Sequence, residues 1–438
     1  MKKGLFHWLN RRKAFRDLNE EEFSWVLYDV GNSAYTMLAC SLIPIWYHNL
    51  ADAQVGLEAA TANFAFATAI ITVIVALLGP VLGVIADKRD KKRVIFTTAV
   101  AAGVIMCFVN GFVSGGVTFL IIFALTKIFY QASSTFYDSM LNDVTTEERM
   151  DEVSSYGYAW GYIGSCIPFL FALVAYILGP DMLGVISELV SKIIGFTITG
   201  AWWLLVTLPL IKNYKQRNFS EANTETVGLV FKKLGGTLKR IALEDPKVLF
   251  FLIAFFLYID GVGTIIDNCI NIGSALGLDS VGMVVFLLLT QVVAFGGSLV
   301  FARLSKKYST VKLLLVCIVG YFAVCLYALT LHDLIGFAIL AFGVGCFQGS
   351  IQSLSRSYFS KIIPPENSGE YFGIYDIFCK GASFLGSLLI GIVMSVKGGT
   401  IQVAVASMAI FFLLGFVFLK IADKKPLNKS VAAPEERK

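Results

Sequence analysis

The chain has 438 residues, of which 56% are hydrophobic and only 15% charged, and a net charge of +5. That balance excludes an ordinary soluble enzyme and points to a polytopic membrane protein. The positive charge does not indicate nucleic acid, because 31 of the 36 Lys and Arg residues lie in or within a few residues of the N-terminal arm, the even-to-odd helix connections or the C-terminal tail. By the positive-inside rule both termini face the cytoplasm, and in a prokaryote the host membrane is the plasma membrane.

Apolar runs long enough to span a bilayer predict twelve helices at 23–50, 60–86, 94–114, 117–141, 152–179, 189–211, 247–274, 281–303, 311–331, 333–362, 369–395 and 400–420. A basic then acidic arm, residues 1–22, precedes them; residues 212–246 form a polar linker between two halves, and 421–438 a basic tail. No cleavable signal sequence is visible, so the first helix serves as the targeting signal. All eight cysteines fall inside predicted helices with no CxxC spacing, which reads as packing and implies no metal or other cofactor.

Helix 1 carries WVLYDVGNSAY, residues 25–35, with Asp29 and Asn32 on one face. A carboxylate there costs about 2.5–3.5 kcal/mol if it faces lipid, so it points into the bundle or into water. It is either a cavity group, able to bind solute or carry a proton, or a tether between helices. After helix 2 comes GPVLGVIADKRDKKR, residues 79–93. Gly79 and Gly83 permit close helix contact, and Asp87 can pair with a base or with a neighbouring helix N-terminus. With Arg89 these residues form a candidate cytoplasmic gate. The matching stretch 296–312 has Leu304 at the aspartate position, so such a latch is asymmetric.

Helix 4 places Lys127 and Gln131 on one face, with Lys127 about 15 Å below the outer end. Either it binds a solute carboxylate or phosphate, or it sits in a buried ion pair. Helix 5 has Tyr156, Tyr158, Trp160 and Tyr162; alternate positions cannot share a helix face, so only part of the set can line a cavity. In the linker, Leu229 to Leu243 has the spacing of an amphipathic surface helix. No GxxxxGK[ST] phosphate loop occurs.

Helix 7 contains Asp260 followed by Gly261 and Gly263, which predicts a weakened helix beside a carboxylate, as in transporter sites, or an ion pair with Lys127 or Lys380. Helix 10 holds the ladder Gln348, Gln352 and Arg356, with the glutamines facing solute and Arg356 near the gate. Helix 11 holds Tyr375, Asp376 and Lys380. The last two are spaced for an internal ion pair, which solute or proton traffic could break. Asp29, Asp260 and Asp376 are the candidate proton carriers.

Residues 126–164 and 342–387 repeat one another: Gln131 matches Gln348, and Tyr156-Gly157 matches Phe372-Gly373. The repeat implies two like six-helix bundles. Interior ionisable groups occur on helices 1, 4, 7 and 11 but not on 3, 9 and 12, which are therefore expected at the lipid-facing periphery.

The loop at 79–93, with Asp90 at the usual glycine position, and the repeat resemble the major facilitator superfamily. More narrowly, WVLYDVGNSAY (25–35), SSYGYAWGYIG (154–164), YIDGVGTI (258–265), QSLSRSYFSKIIP (352–364) and EYFGIYDIFCKGASFLG (370–386) resemble its vacuole-effluxer family, which includes autophagy-related amino-acid effluxers. The chain departs from that family at Lys127, where an uncharged polar residue is usual. The resemblance implies the major facilitator fold, all α, with twelve transmembrane helices in two pseudo-symmetric bundles. It also implies secondary transport by alternating access.

The expected cargo is a small polar or zwitterionic solute such as an amino acid, exported and driven by protons, with the bilayer as the other partner and a single copy as the working unit. The alternative cargo is a lipid or amphiphile whose anionic head Lys127 would hold. An intramembrane enzyme would need a nucleophile and base, and the three histidines, His7, His48 and His332, offer no such pairing. A receptor or scaffold would show no solute flux.

Overall fold

The computed structural model describes residues 18–221, 227–267, 280–381, 384–396 and 400–427. Helix α1 (Glu20–Cys40) starts three residues earlier than the apolar run because Asn19 and Glu22 form a reciprocal capping box, which satisfies two otherwise orphaned N–H groups. Its chain continues as α2 (Leu42–Val55), and the two pieces make the first span. Then follow α3 (Leu57–Ala86), α4 (Lys91–Phe112), α5 (Gly116–Ser139), the short α6 (Leu141–Val144), α7 (Met150–Ile177) and α8 (Glu188–Asn213). The linker folds as α9 (Val227–Leu243), the amphipathic helix its spacing predicts.

The second half comprises α10 (Pro246–Asp267), α11 (Ser280–Leu304), α12 (Thr310–Tyr327), α13 (Leu334–Ile362), α14 (Ser368–Gly381), α15 (Phe384–Ser395), α16 (Ile401–Ser407) and α17 (Ala409–Lys424). Among the described residues nine helices are long and apolar enough to cross a membrane, and Leu288–Leu304 and Leu385–Ser395 are shorter apolar pieces. With the divided first span these make up the twelve. The expected weak point in helix 7 is not there: α10 runs unbroken through Gly261 and Gly263.

Each half has its own core, one running from Leu18 to Tyr214 and the other from Ile241 to Ala422. The third, ninth and twelfth spans turn bare apolar side chains outward: Val94, Ile105 and Phe112 on α4, Val316 and Val319 on α12, Leu413 and Val417 on α17. Such faces are stable only against lipid chains.

The bundles meet along α3 and α14 and along α7 with α11 and α13. Glycines make the first of these seams, since Gly83 lies against the Gly369 backbone and a Cβ on Gly373 would fall 2.5 Å from Pro80 Cα. Asp90, in the turn after α3, is the one described non-glycine residue in the left-handed region, at φ 60°. That explains why a glycine suits the position.

Because its neighbour is backbone and cannot swing away, Gly373→Ala should force the seam apart. The expected cost is about 1–3 kcal/mol, read as a lower melting midpoint of the detergent-purified protein, whereas Gly391→Ala, with open space around it, should leave the midpoint unchanged.

Candidate functional site

The molecule has a terminal end, which carries the start of α1, the 87–90 turn and the end of α17, and a far end opposite. Between the bundles lies a cavity of about 340 Å³, lined by α1, α5 and α7 on one side and by Ile266, Gln291, Gln348, Gln352 and Arg356 on the other. Its wall on α1 runs from Asp29 to Ser41, twelve residues or about 18 Å along the axis. Thr36 and Cys40 line it while remaining exposed, so the cavity is reached from the far side. The lining is polar and aromatic: Asn32, Ser33, Ser134, Tyr130, Tyr158 and Tyr162 face it, and Tyr162 takes hydrogen bonds from both Gln348 and Gln352 at 3.3 Å.

Arg356 forms the floor. From α13 it crosses to the other bundle, where Nη1 donates to Asp138 at 2.9 Å, Nη2 to Asp29 at 3.3 Å and to the Ser154 carbonyl at 3.1 Å, and Nε to Ser154 Oγ at 2.9 Å. Its guanidinium carbon lies 4.5 Å from the Trp25 ring and 4.6 Å from the Tyr158 ring. Tyr137 donates to Asp29 at 2.8 Å. Buried charge on this scale is tolerable only when paired and fully hydrogen-bonded, which this one is. Gly157 makes the room: a Cβ there would sit 2.5 Å from Asp29 Oδ2 and 3.1 Å from Arg356 Nη2.

Below the floor the terminal end is closed by two latches. In the first, Asp87 accepts from Gly369 N and Glu370 N at 2.8 Å each, the first-turn donors of α14, which lack intrahelical partners. Lys92 joins it, 3.5 Å from Asp87 and 2.8 Å from Ser368. The second latch again draws its acids from the first bundle, now at the start of α7: Asp151 accepts from Thr310 and Ser357 at 2.6 Å and pairs with Lys361 at 2.8 Å, and Glu152 pairs with Lys306 at 2.8 Å. Leu304 at the aspartate position is thus offset by acids supplied from the opposite bundle.

Of the candidate residues, the structure brings Asp29, Asn32, Gln348, Gln352 and Arg356 into one cavity and Gly83 and Asp87 to the terminal seam. Others lie elsewhere. Lys127 sits a turn nearer the far end than Tyr130, its ammonium 5.6 Å from the Phe123 ring of its own helix, and neither it nor Gln131 lines the cavity. Long basic side chains behave this way, with the charge directed along the helix and away from the centre. Asp260 is fully buried within the second bundle and accepts from Gly386 N at 3.1 Å.

Tyr375 is buried and stacked between Phe255 and Phe359, at 4.1 and 4.8 Å. Asp376 reaches across the seam to accept from Thr135, and the Lys380 side chain lies outside the described residues. Arg89 lies over the Phe219 ring at 4.7 Å, on the linker, and not across the seam.

Sequence reasoning missed Asp138, Tyr130 and Trp25. A signal existed for the first: Tyr-Asp occurs at 28–29, 137–138 and 375–376. Two of those three carboxylates hold Arg356, and the third accepts from Thr135.

Twelve spans in two like bundles around a central cavity make this a membrane transporter of the major facilitator class. The human organic anion transporter MFSD10 shares the fold with a TM-score of 0.71 at 13% identity, over 93% of this chain and 100% of that one. The proton:xylose symporter XylE does so with a TM-score of 0.70 at 13% identity, over 92% and 94%.

Sequence similarity is narrower. Residues 142–429 match the family described as vacuole effluxer Atg22 like. The chain is 40% identical to the uncharacterized MFS-type transporter YxiO of Bacillus subtilis over 411 residues, covering 93% of this chain and 95% of that protein. It is 25% identical over 307 residues to autophagy-related protein 22 of Botryotinia fuckeliana, covering 62% of this chain and 50% of that longer relative. The chain belongs to the Atg22-like family of major facilitator transporters.

Burial pushes the Asp87 carboxyl up to about 6, against the pull of Lys92 and the two helix N–H groups. When the seam parts and water reaches it, its value returns to about 4. Protonation therefore favours the closed terminal end as pH falls from about 6 to 4, and the equilibrium is flat above about 7. Labelling of a cysteine placed at Ser368, measured relative to an always-exposed control cysteine to cancel the thiolate fraction, should slow over that acid interval, and Asp87→Asn should remove the residual slope.

Proposed function

We propose that the protein is a secondary active transporter of a small polar solute, working by alternating access, with the present conformation closed on the cytoplasmic side. The observation that carries this reading is the inter-bundle cavity, closed at the terminal end by Arg356 and two latches and reachable from the far side. The charge distribution favours a cytoplasmic terminal end, which makes the state outward-facing. A volume of about 340 Å³ suits an amino acid or a solute of that size, and its hydroxyl, amide and carboxylate lining suits polar recognition.

Asp29 and Asp138 are the carboxylates placed to couple transport to protons, a role that moves away from Asp260 because that residue lies outside the cavity. The amphiphile alternative loses its head-group anchor for the same kind of reason, since Lys127 does not line the cavity. Export, as for the family's vacuolar effluxers, is the expected direction.

The hydroxyls of Ser155 and Ser353 lie 3.2 Å apart across the seam, so a Ser155→Cys/Ser353→Cys disulfide should lock the terminal end. In proteoliposomes preloaded with mixed amino acids, efflux should stop on oxidation and return on reduction. Efflux that persists through the lock would overturn alternating access, and absence of amino-acid efflux in the unlocked protein would overturn the amino-acid assignment. Asp29→Asn and Asp138→Asn should each reduce pH-gradient-driven flux by about tenfold or more, as expected for loss of a proton carrier.

A further inference from the structure

The groups that hold Arg356 all belong to the N-terminal bundle: Trp25 and Asp29 on α1, Tyr137 and Asp138 on α5, Ser154 and Tyr158 on α7. The guanidinium itself arrives from α13 of the other bundle. Three aromatic faces at 4.5–5.2 Å, two carboxylates and a carbonyl make a cage whose chemistry is that of an organic-cation site. We propose that this cage is a cation-binding site, filled by Arg356 when the terminal end is closed and by the guanidinium or primary-ammonium group of a solute when that end opens. The proposal rests on the alternating-access reading above.

Parting the bundles at the terminal end draws Arg356 out as a plug. Two carboxylates are then left among aromatic rings, and a buried charge without a partner is strongly unfavourable. A cation entering from the opened side removes that penalty, so opening is favoured when cargo is present and disfavoured when it is not. A strongly hydrated metal ion matches the ring faces poorly; a guanidinium or ammonium group on an organic stem matches them well.

The edge of the cage is also open to the cavity in the closed state. The Asp138 side chain is 25% exposed and that of Asp29 11%, while Arg356 is 3% exposed. A solute cation arriving from the far side therefore meets Asp138 before Arg356 has moved.

The test is calorimetric titration of the full-length protein in lipid nanodiscs with agmatine, and with arginine against its neutral isostere citrulline. Agmatine and arginine should bind and citrulline should not. Removing the tethered competitor in Arg356→Gln should tighten agmatine about tenfold if the open cage is populated at about a tenth in the parent protein, and Asp138→Asn should weaken it by a similar factor. Should Arg356→Gln fail to fold, Arg356→Lys serves, with a smaller gain in affinity.

Unchanged or weaker agmatine binding on altering Arg356 would overturn the proposal, as would citrulline binding equal to arginine. Proton uptake with no organic-cation binding would overturn it too, leaving a proton site. Solute flux that the Ser155→Cys/Ser353→Cys lock still stops, alongside any of those results, would show that the cage assignment alone has failed. A lock without effect on flux would remove the transporter reading as well.

Discussion

One guanidinium holds the two bundles in register. Arg356 is supplied by one half and solvated wholly by the other, so its pairing with Asp29 and Asp138 exists only while the bundles touch at that level. Deleting one partner of such a buried pair typically costs about 3–5 kcal/mol, because the remaining charge is stranded. That cost makes the contact two-state. Arg356 is either in the cage, with every nitrogen bonded, or out of it, with something else meeting the carboxylates. The glycine at 157 and the Trp25 ring stacked on Tyr137 at 4.3 Å shape the cage so closely that intermediate positions are poor.

The latches beneath it repeat the same logic with different parts. Both place a carboxylate of the first bundle against a helix start of the second: Asp87 meets α14, and Asp151 meets α12 through Thr310. The halves are alike in fold, but all of these acids come from the first and the cations Arg356, Lys361 and Lys306 from the second. An association of opposite charges between two bodies is favourable in closure and is surrendered together on opening, which suits a conformational switch.

The periodicity of apolar residues carried the architecture, since period and length alone decide whether a segment can span and which face it buries. Gly83 and Asp87 were legible because close packing and a helix start each demand one residue type. The 348–352–356 ladder was legible because spacing by four keeps side chains on one face. What sequence did not convey was depth and partner. A lysine midway along a span looks like a cavity group, yet the Lys127 stem is long enough to lay its charge over Phe123. Asp260 looks like a site because it is a carboxylate beside glycines, yet it meets the N–H of Gly386 within its own bundle. Asp138 lies three residues from the predicted end of its helix, where a charge is unremarkable until Arg356 arrives from 218 positions away.

The linker grips both sides of the seam. At its start Tyr214 and the backbone of Arg217 and Asn218 bond to Asp143 of the first bundle. Further on, α9 fastens to the second, with Lys233 3.4 Å from Glu370 and Arg240 2.7 Å from the Tyr371 hydroxyl. A covalent strap anchored on two bodies limits how far they can swing, so the terminal aperture is bounded by a segment that lies outside the cavity.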